Sequence, residues 1–310
     1  MSLALSKNTI GILCAITCAF LWSVLGIVLK YSLQFSDVET ICWFRFAIAL
    51  IFLWIYLLIK YKTKIITYLH PFPWLSLVAG VGLTMNYWGY FKCLELTSPS
   101  NAQILIQLAP LCLALIGLFI FKEKVSSIQK KGFFLAILGL CLFNGEQLSY
   151  ALQNFNRYLR GNLVMLFSII GWTSWGFFNK KIIEKTPILI TNAIVFTVGA
   201  ICLLPTARTD QFSSYTSSQW LIIGFLGLNT VIAYGLISKA FSLIETNKVS
   251  FIITLNPLGT ILLMKILTAY DVKWIGEENI GPIGLLGACF LLTGVIMVVG
   301  LKKPISNKSS

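Results

Sequence analysis

Residues 11–30 read GILCAITCAFLWSVLGIVLK, and residues 161–180 read GNLVMLFSIIGWTSWGFFNK. Each runs twenty residues without a charge until its closing lysine, the length of apolar α-helix that crosses a hydrocarbon core of roughly 30 Å. Set one above the other at an offset of 150, they match Gly11 with Gly161, Trp22 with Trp172, Gly26 with Gly176 and Lys30 with Lys180. A membrane helix that returns in altered form predicts a chain made of two similar halves.

The match continues outward. At an offset of 147, Gly80 falls on Gly227, Tyr87 on Tyr234, Lys92 on Lys239, Leu96 on Leu243 and Pro110 on Pro257. At 155, Glu123 falls on Glu278, Gly132 on Gly287 and Gly139 on Gly294, which places an eight-residue insertion around Thr268–Ile275. Apolar runs predict ten transmembrane helices, over about 10–30, 39–59, 74–92, 100–121, 131–147, 160–180, 188–205, 219–241, 249–269 and 281–301. The first is too long for a signal peptide and no small-residue cleavage site follows it. Five spans per half is an odd number, so the second half must enter from the opposite side. The expected fold is therefore an all-α membrane protein of ten transmembrane helices arranged as two inverted five-helix repeats. The halves are 1–147 and 160–301, joined by an outer linker at 148–159 and followed by a cytoplasmic tail at 302–310.

Composition agrees. Of 310 residues 57% are hydrophobic and 11% charged, with a mean hydropathy of +0.84, against about 25% charged in an ordinary soluble domain. The net charge of +13 could suggest nucleic acid, but its distribution points to the bilayer. With the N-terminus inside, sixteen lysines fall on the cytoplasmic side and seven basic residues on the outer side, the bias that orients inner-membrane proteins. The sequence thus predicts a multi-pass protein of the cell (inner) membrane with both termini cytoplasmic. All eight cysteines lie in hydrophobic spans, where they read as small core residues, not as a disulfide framework or a metal site.

The run Leu96-Thr-Ser-Pro-Ser-Asn-Ala102, Pro110, the Phe121–Lys124 stretch with Glu123 and the Gly132/Gly139 pair resemble the EamA repeat of the drug/metabolite transporter superfamily. The second half carries the weaker form Pro257, Glu278, Gly287 and Gly294. The resemblance covers about 10–301 and implies a central cavity lined by spans 1, 3, 4, 6, 8 and 9, with spans 5 and 10 peripheral. Two departures are the insertion before Glu278 and Asn247, where a small residue is more usual.

Chemistry that an enzyme would need is sparse. Asp37, Asp210 and Asp271 all fall in outer loops, His70 is the sole histidine, and no P-loop spacing occurs; acid/base or metal catalysis requires such groups within reach of one another. The chain is expected to be a transporter, secondary or facilitated, with no cofactor. Its partners are a small-molecule solute and the lipid bilayer. An amino acid or related amine is the first choice of solute, efflux of aromatic or cationic toxic compounds the alternative, and a non-transporting membrane receptor or scaffold the rival of another class. Outer loops of 148–159, 206–218 and 270–280 are short for that last role.

Candidate site residues follow from the repeat. Gln103, Gln107 and Pro110 share one helix face, and Ser250, Thr254 and Pro257 repeat it at 147. Polar stripes in lipid turn inward, and each proline frees a carbonyl one turn earlier, near Ile106 and Ile253, so Pro110 and Pro257 are candidate hinges. Asn86 and Tyr90 offer a further wall, with Trp22, Trp172, Trp175 and Tyr234 as aromatic lining. Arg45, the one charge well inside a span, is either a structural group or a charge partner for a solute carboxylate. Glu39, Glu95 and Glu146 near span ends could carry a coupling proton but read more simply as solvated. The small-residue pairs Gly132/Ala136 and Gly284/Ala288 suit internal packing or a homodimer contact.

Overall fold

The computed structural model of the protein describes residues 6–62, 64–97, 102, 105–143, 145, 149, 153, 155–270 and 281–299, which are helical or linking throughout. The helices are α1 (Lys7–Ser32), α2 (Val38–Tyr61), the short α3 (Lys64–Tyr68), α4 (Leu75–Leu96), α5 (Leu108–Phe119), α6 (Ser127–Phe143), α7 (Phe155–Ile182), α8 (Ile188–Leu203), α9 (Ser217–Leu243), α10 (Thr246–Ile253), α11 (Asn256–Ala269) and α12 (Pro282–Val299). Local chemistry sets several starts. Ser6 accepts the Thr9 N–H at 3.1 Å, and Asp37 accepts the Thr40 N–H at 2.9 Å. Thr216 and Gln219 form a reciprocal capping box at the head of α9. Each oxygen satisfies a backbone donor that a helix start otherwise leaves bare.

Each of the ten segments expected from sequence contains a helix, and among the described residues seven helical stretches are long and apolar enough to cross a membrane. The other three fall short for visible reasons. Asn86, Tyr87, Trp88, Tyr90 and Lys92 dilute the apolar character of α4. A turn at Gln107 cuts α5 to 12 residues, and α6 has 17.

Helices from the two halves pair with each other. α4 runs against α7 and α1 against α9; α2 meets α8, α5 meets α10, and α6 lies on α12. Exchanging the halves turns the first pair into the second and leaves the remaining three unchanged. The same exchange holds at atomic contacts. Gly11 sits against Leu243 and Ile244, and its counterpart Gly161 sits against Leu96 and Thr97; Gly80 faces Val198, while Gly227 faces Ile48. These are equivalent positions at the offsets read from the sequence.

Glycine permits the closest approaches. A Cβ on Gly82 of α4 would stand 2.7 Å from the Gly171 carbonyl oxygen of α7, and one on Gly171 would meet Gly82 in return. On α6, Gly132, Ala136 and Gly139 pack against Gly287, Leu291 and Gly294 of α12 within the same chain. The small-residue face of Gly132 and Ala136 thus serves internal packing. Buried polar groups, costly in an apolar interior, are joined across helices: Asn86 to Ser168, Asn179 to Ser238, Ser238 to Asn192, and Asn229 to the Leu21 carbonyl.

Two helices are interrupted at equivalent places. Gln107 forms a turn between helical residues 105–106 and α5, and Thr254–Leu255 separates α10 from α11; Gln107 and Thr254 are 147 apart. Pro110 and Pro257 then lie in the first turn of the helix that follows, where a missing N–H does least harm.

Candidate functional site

The broken helices flank a cavity of about 110 Å³, well above the roughly 10–15 Å³ that one water requires. Its walls are drawn from α1 (Trp22, Leu25, Gly26, Leu29), α2 (Arg45), α4 (Asn86, Tyr87, Tyr90, Phe91), the break before α5 and its first turn (Ile106, Gln107, Ala109, Pro110), α7 (Trp172), α9 (Tyr234) and the second break (Ile253, Asn256). The two halves thus meet around it, and the wall repeats itself: Trp22 with Trp172, Tyr87 with Tyr234, Ile106 with Ile253, Ala109 with Asn256. The first pair is offset by 150 and the rest by 147.

Aromatic rings form most of the enclosure. Trp22 meets Trp172 edge-on with centroids 6.2 Å apart and Tyr234 at 5.5 Å; Tyr87 lies 6.0 Å from Tyr234 and stacks on Phe46 at 4.4 Å. Trp175 is fully buried behind this wall, edge-on to Tyr234 at 4.9 Å, and does not line the cavity. Large rings held by their neighbours make a rigid apolar surface with few rotamers to lose when a solute binds.

A few polar groups punctuate the apolar wall, the usual composition of a small-molecule pocket. The Arg45 guanidinium is buried, with Nε donating to Thr230 Oγ1 at 3.2 Å and Nη2 to the Tyr87 hydroxyl at 2.9 Å, and its central carbon stands 4.0 Å from the Tyr87 ring centroid. Asn86 gives its amide N–H to Ser168 Oγ at 2.8 Å. Asn256 Oδ1 accepts from Ser23 at 3.3 Å and from Thr260 at 3.3 Å. Gln107, buried at the break, has no side-chain hydrogen bond among the described residues.

Of the residues nominated from sequence, Trp22, Arg45, Asn86, Tyr90, Gln107, Pro110, Trp172 and Tyr234 come together on this cavity. Thr254 does not reach it: its hydroxyl donates to the Phe251 carbonyl at 2.6 Å. Pro257 sits beside the wall residue Asn256 and is not itself part of the wall. Gln103, Glu146 and Glu278 lie outside the described residues. Glu39 stands in the first turn of α2 and Glu95 in the last turn of α4: Lys92 pairs with Glu95 and lies 4.0 Å from Glu39, which also accepts from Trp88 Nε1 at 3.2 Å. Phe91 and Asn256 were not nominated, whereas Tyr87 is the aligned partner of the nominated Tyr234 and belongs with the aromatic residues expected on the cavity helices.

Two charged side chains tie down the link between α9 and α10. Glu123 accepts the backbone N–H groups of Thr246 at 2.6 Å and Asn247 at 3.0 Å, at the head of α10. Lys180 donates to the carbonyls of Phe241 and Ile244 at the tail of α9. Carboxylate at a helix start and ammonium at a helix end both complement the helix dipole. They hold the short α9–α10 link from two sides.

Known proteins resemble this chain over most of its length. An uncharacterized transporter of Haemophilus influenzae is 30% identical, over 93% of this chain and 94% of its own. The uncharacterized inner membrane transporter YhbE of Escherichia coli K12 is 29% identical, over 93% and 90%. A probable amino-acid metabolite efflux pump of the same organism is 24% identical, over 74% and 78%. A solved crystal structure at 17% identity superposes with a TM-score of 0.70 over 93% of this chain and 95% of that one, which supports the fold. The EamA-like transporter family matches residues 9–145 and again 159–300, one repeat in each half. With its seven membrane-length helical stretches and its inner-membrane relatives, the chain belongs to the EamA-like transporter family and is a multi-pass inner-membrane protein.

Proposed function

We propose that the protein is a secondary or facilitated transporter of a small organic metabolite, an amino acid or related amine, working by alternating access. The observation that carries this is the cavity itself: it is built from both halves, at helices broken at equivalent positions, which is where inverted-repeat transporters place their solute. In this reading ten helices span the membrane, the halves 1–147 and 160–301 run in opposite senses, and both termini are cytoplasmic. The end closed by Glu123 and Lys180 then faces the cytoplasm.

The gate follows from the same exchange of halves. Lys180 corresponds to Lys30, and its acceptors Phe241 and Ile244 correspond to Leu94 and Thr97. Lys30 has no hydrogen bond or ion pair to a described residue in this structure. In the opposite state Lys30 takes the carbonyls of Leu94 and Thr97 while Lys180 releases its own. The relative named as a probable amino-acid metabolite efflux pump supports the choice of solute class.

Efflux of aromatic or cationic toxic compounds is the second reading, favoured by the ring-lined wall. Solute counterflow into proteoliposomes, screened across amino acids, amines, nucleosides and vitamins, tests both. Accumulation of a labelled amino acid against its unlabelled pool is expected; a purified, folded protein that moves no solute of any class refutes transport.

A further inference from the structure

We infer that Arg45 is the carboxylate-binding group of the cavity, so that the solutes carried have a carboxylate joined to an apolar or aromatic body. The inference rests on the transport reading above and narrows it. Arg45 is 3% exposed, yet it belongs to the cavity wall. Its partners among the described residues are neutral: Thr230 Oγ1, the Tyr87 hydroxyl, the Tyr87 ring face, and the Phe91 ring at 5.9 Å. Among the described residues no carboxylate lies within 4.0 Å of it. Glu39, two turns earlier on α2, is turned to Trp88 and Lys92.

Guanidinium carries five N–H donors. Two are committed here, through Nε and one N–H of Nη2, and Nη1 has no hydrogen bond to a described residue. None of the described lining residues is Asp, Glu or Lys, so among them Arg45 carries the only full charge. A cation buried with neutral partners lacks compensation in a low-dielectric interior. An incoming carboxylate supplies it, and the planar fork binds such a group through two parallel hydrogen bonds.

The charge also selects against the other solute class. Aromatic walls alone would suit an organic cation, but a fixed positive charge among them repels one, and no acidic residue among the described wall residues offsets that repulsion. A zwitterion is admitted, because its carboxylate meets Arg45 and its ammonium finds neutral acceptors. The Asn86 side-chain oxygen is one: its amide nitrogen is engaged by Ser168.

The experiment compares matched solutes on the reconstituted full-length protein: L-leucine and L-phenylalanine, their amides, 3-phenylpropionate, phenethylamine and tetraethylammonium. Binding is read by thermal shift and transport by counterflow. The carboxylates should bind and move, and each amide or amine should be weaker by about 30-fold or more, the effect of removing one member of a desolvated charge pair. Arg45→Gln should lose that preference, and Tyr87→Phe, which removes a hydrogen bond to Arg45 but no charge, should keep it. If Arg45→Gln does not fold, the wild-type solute panel decides alone. Movement of the amines or tetraethylammonium in preference to the carboxylates overturns the assignment and leaves transport standing. Retention of the carboxylate preference by a folded Arg45→Gln also overturns it. Flux of no solute in any class removes the transport reading itself.

Discussion

The contact between α6 and α12 gives the sharpest test of the packing. A Cβ placed on Gly139 would stand 2.7 Å from the Gly287 carbonyl oxygen and 2.8 Å from Leu291 Cα, and closer still to the Leu291 backbone nitrogen. All three are backbone atoms, so no side chain can rotate away, and the two helices must separate. Overfilling a packed core costs about 1–3 kcal/mol, and a backbone-on-backbone clash belongs at the upper end. Gly224 is the control, since nothing stands within 4 Å of its Cβ position. There alanine should gain about 0.5–1 kcal/mol in helix preference. Gly139→Ala should therefore lie about 3 kcal/mol below Gly224→Ala, or roughly 5 °C in melting temperature for a chain of this size. Gly26→Ala separates packing from function: its Cβ position is also open, but Gly26 lines the cavity, so solute binding should change while the melting point does not fall. Scanning fluorimetry in detergent, with flux measured in parallel, reads all three. A Gly139→Ala protein that melts at or above Gly224→Ala would refute the packing argument.

Gln107→Leu should reduce flux by about 3- to 10-fold at normal membrane expression, the loss of one hydrogen bond to solute, whereas Thr254→Val should transport nearly as wild type because its hydroxyl is committed to Phe251; equal losses from both, measured by counterflow, would contradict the placement. Glu123→Gln weakens the clasp on Thr246 and Asn247, so an impermeant maleimide should label Ser242→Cys faster in that background than in the parent; an unchanged rate would show that the clasp does not hold the end closed. A C-terminal fluorescent protein that folds only in the cytoplasm should fluoresce and a C-terminal alkaline phosphatase should be inactive, the reverse pattern contradicting the proposed topology.

The helices and their two-fold repetition were legible because hydropathy and the internal repeat are properties of linear order. The offset that aligned Gly11 with Gly161 also predicts that their neighbours are equivalent, and they are: Leu243 and Ile244 against one, Leu96 and Thr97 against the other. The breaks were legible for the same reason, since a proline acts on the turn just before it and both prolines were aligned. What the sequence left open is side-chain direction. Thr254 occupies the same repeat position as Gln107, but its short hydroxyl bonds back to its own helix, while the longer amide lies on the cavity wall. Arg45 was visible as an intramembrane charge, but its three-way contact with Tyr87, Phe91 and Thr230 joins α2, α4 and α9, and no local pattern encodes that meeting. Gly132 and Ala136 fitted a dimer contact as well as an internal one until α12 was seen against them.

Asn247 stood out in the sequence as a polar residue where a small one was expected, and its surroundings bear on how tightly the α9–α10 link is held in the proposed cycle. Both its side-chain amide atoms, Thr246 Oγ1 and Ser250 Oγ are buried without a hydrogen-bond partner among the described residues. All of them lie on α10, beside the backbone N–H groups that Glu123 clasps. A buried polar group left unmade costs about 1–3 kcal/mol, of the same order as a hydrogen bond to a charged group contributes. The clasp and the orphaned groups therefore act against each other on one short helix. A state held by Glu123 and Lys180 alone would be deep, and a deep state cannot exchange; offset by the strain of α10, it comes within reach of its alternative, because two conformations exchange usefully only when a few kcal/mol separate them. On this argument Asn247→Ala, which removes the orphaned amide and leaves the clasped backbone, deepens the closed state: it should raise the melting temperature and slow counterflow together. Faster flux or a lower melting point would mean that Asn247 holds the closed end and does not strain it.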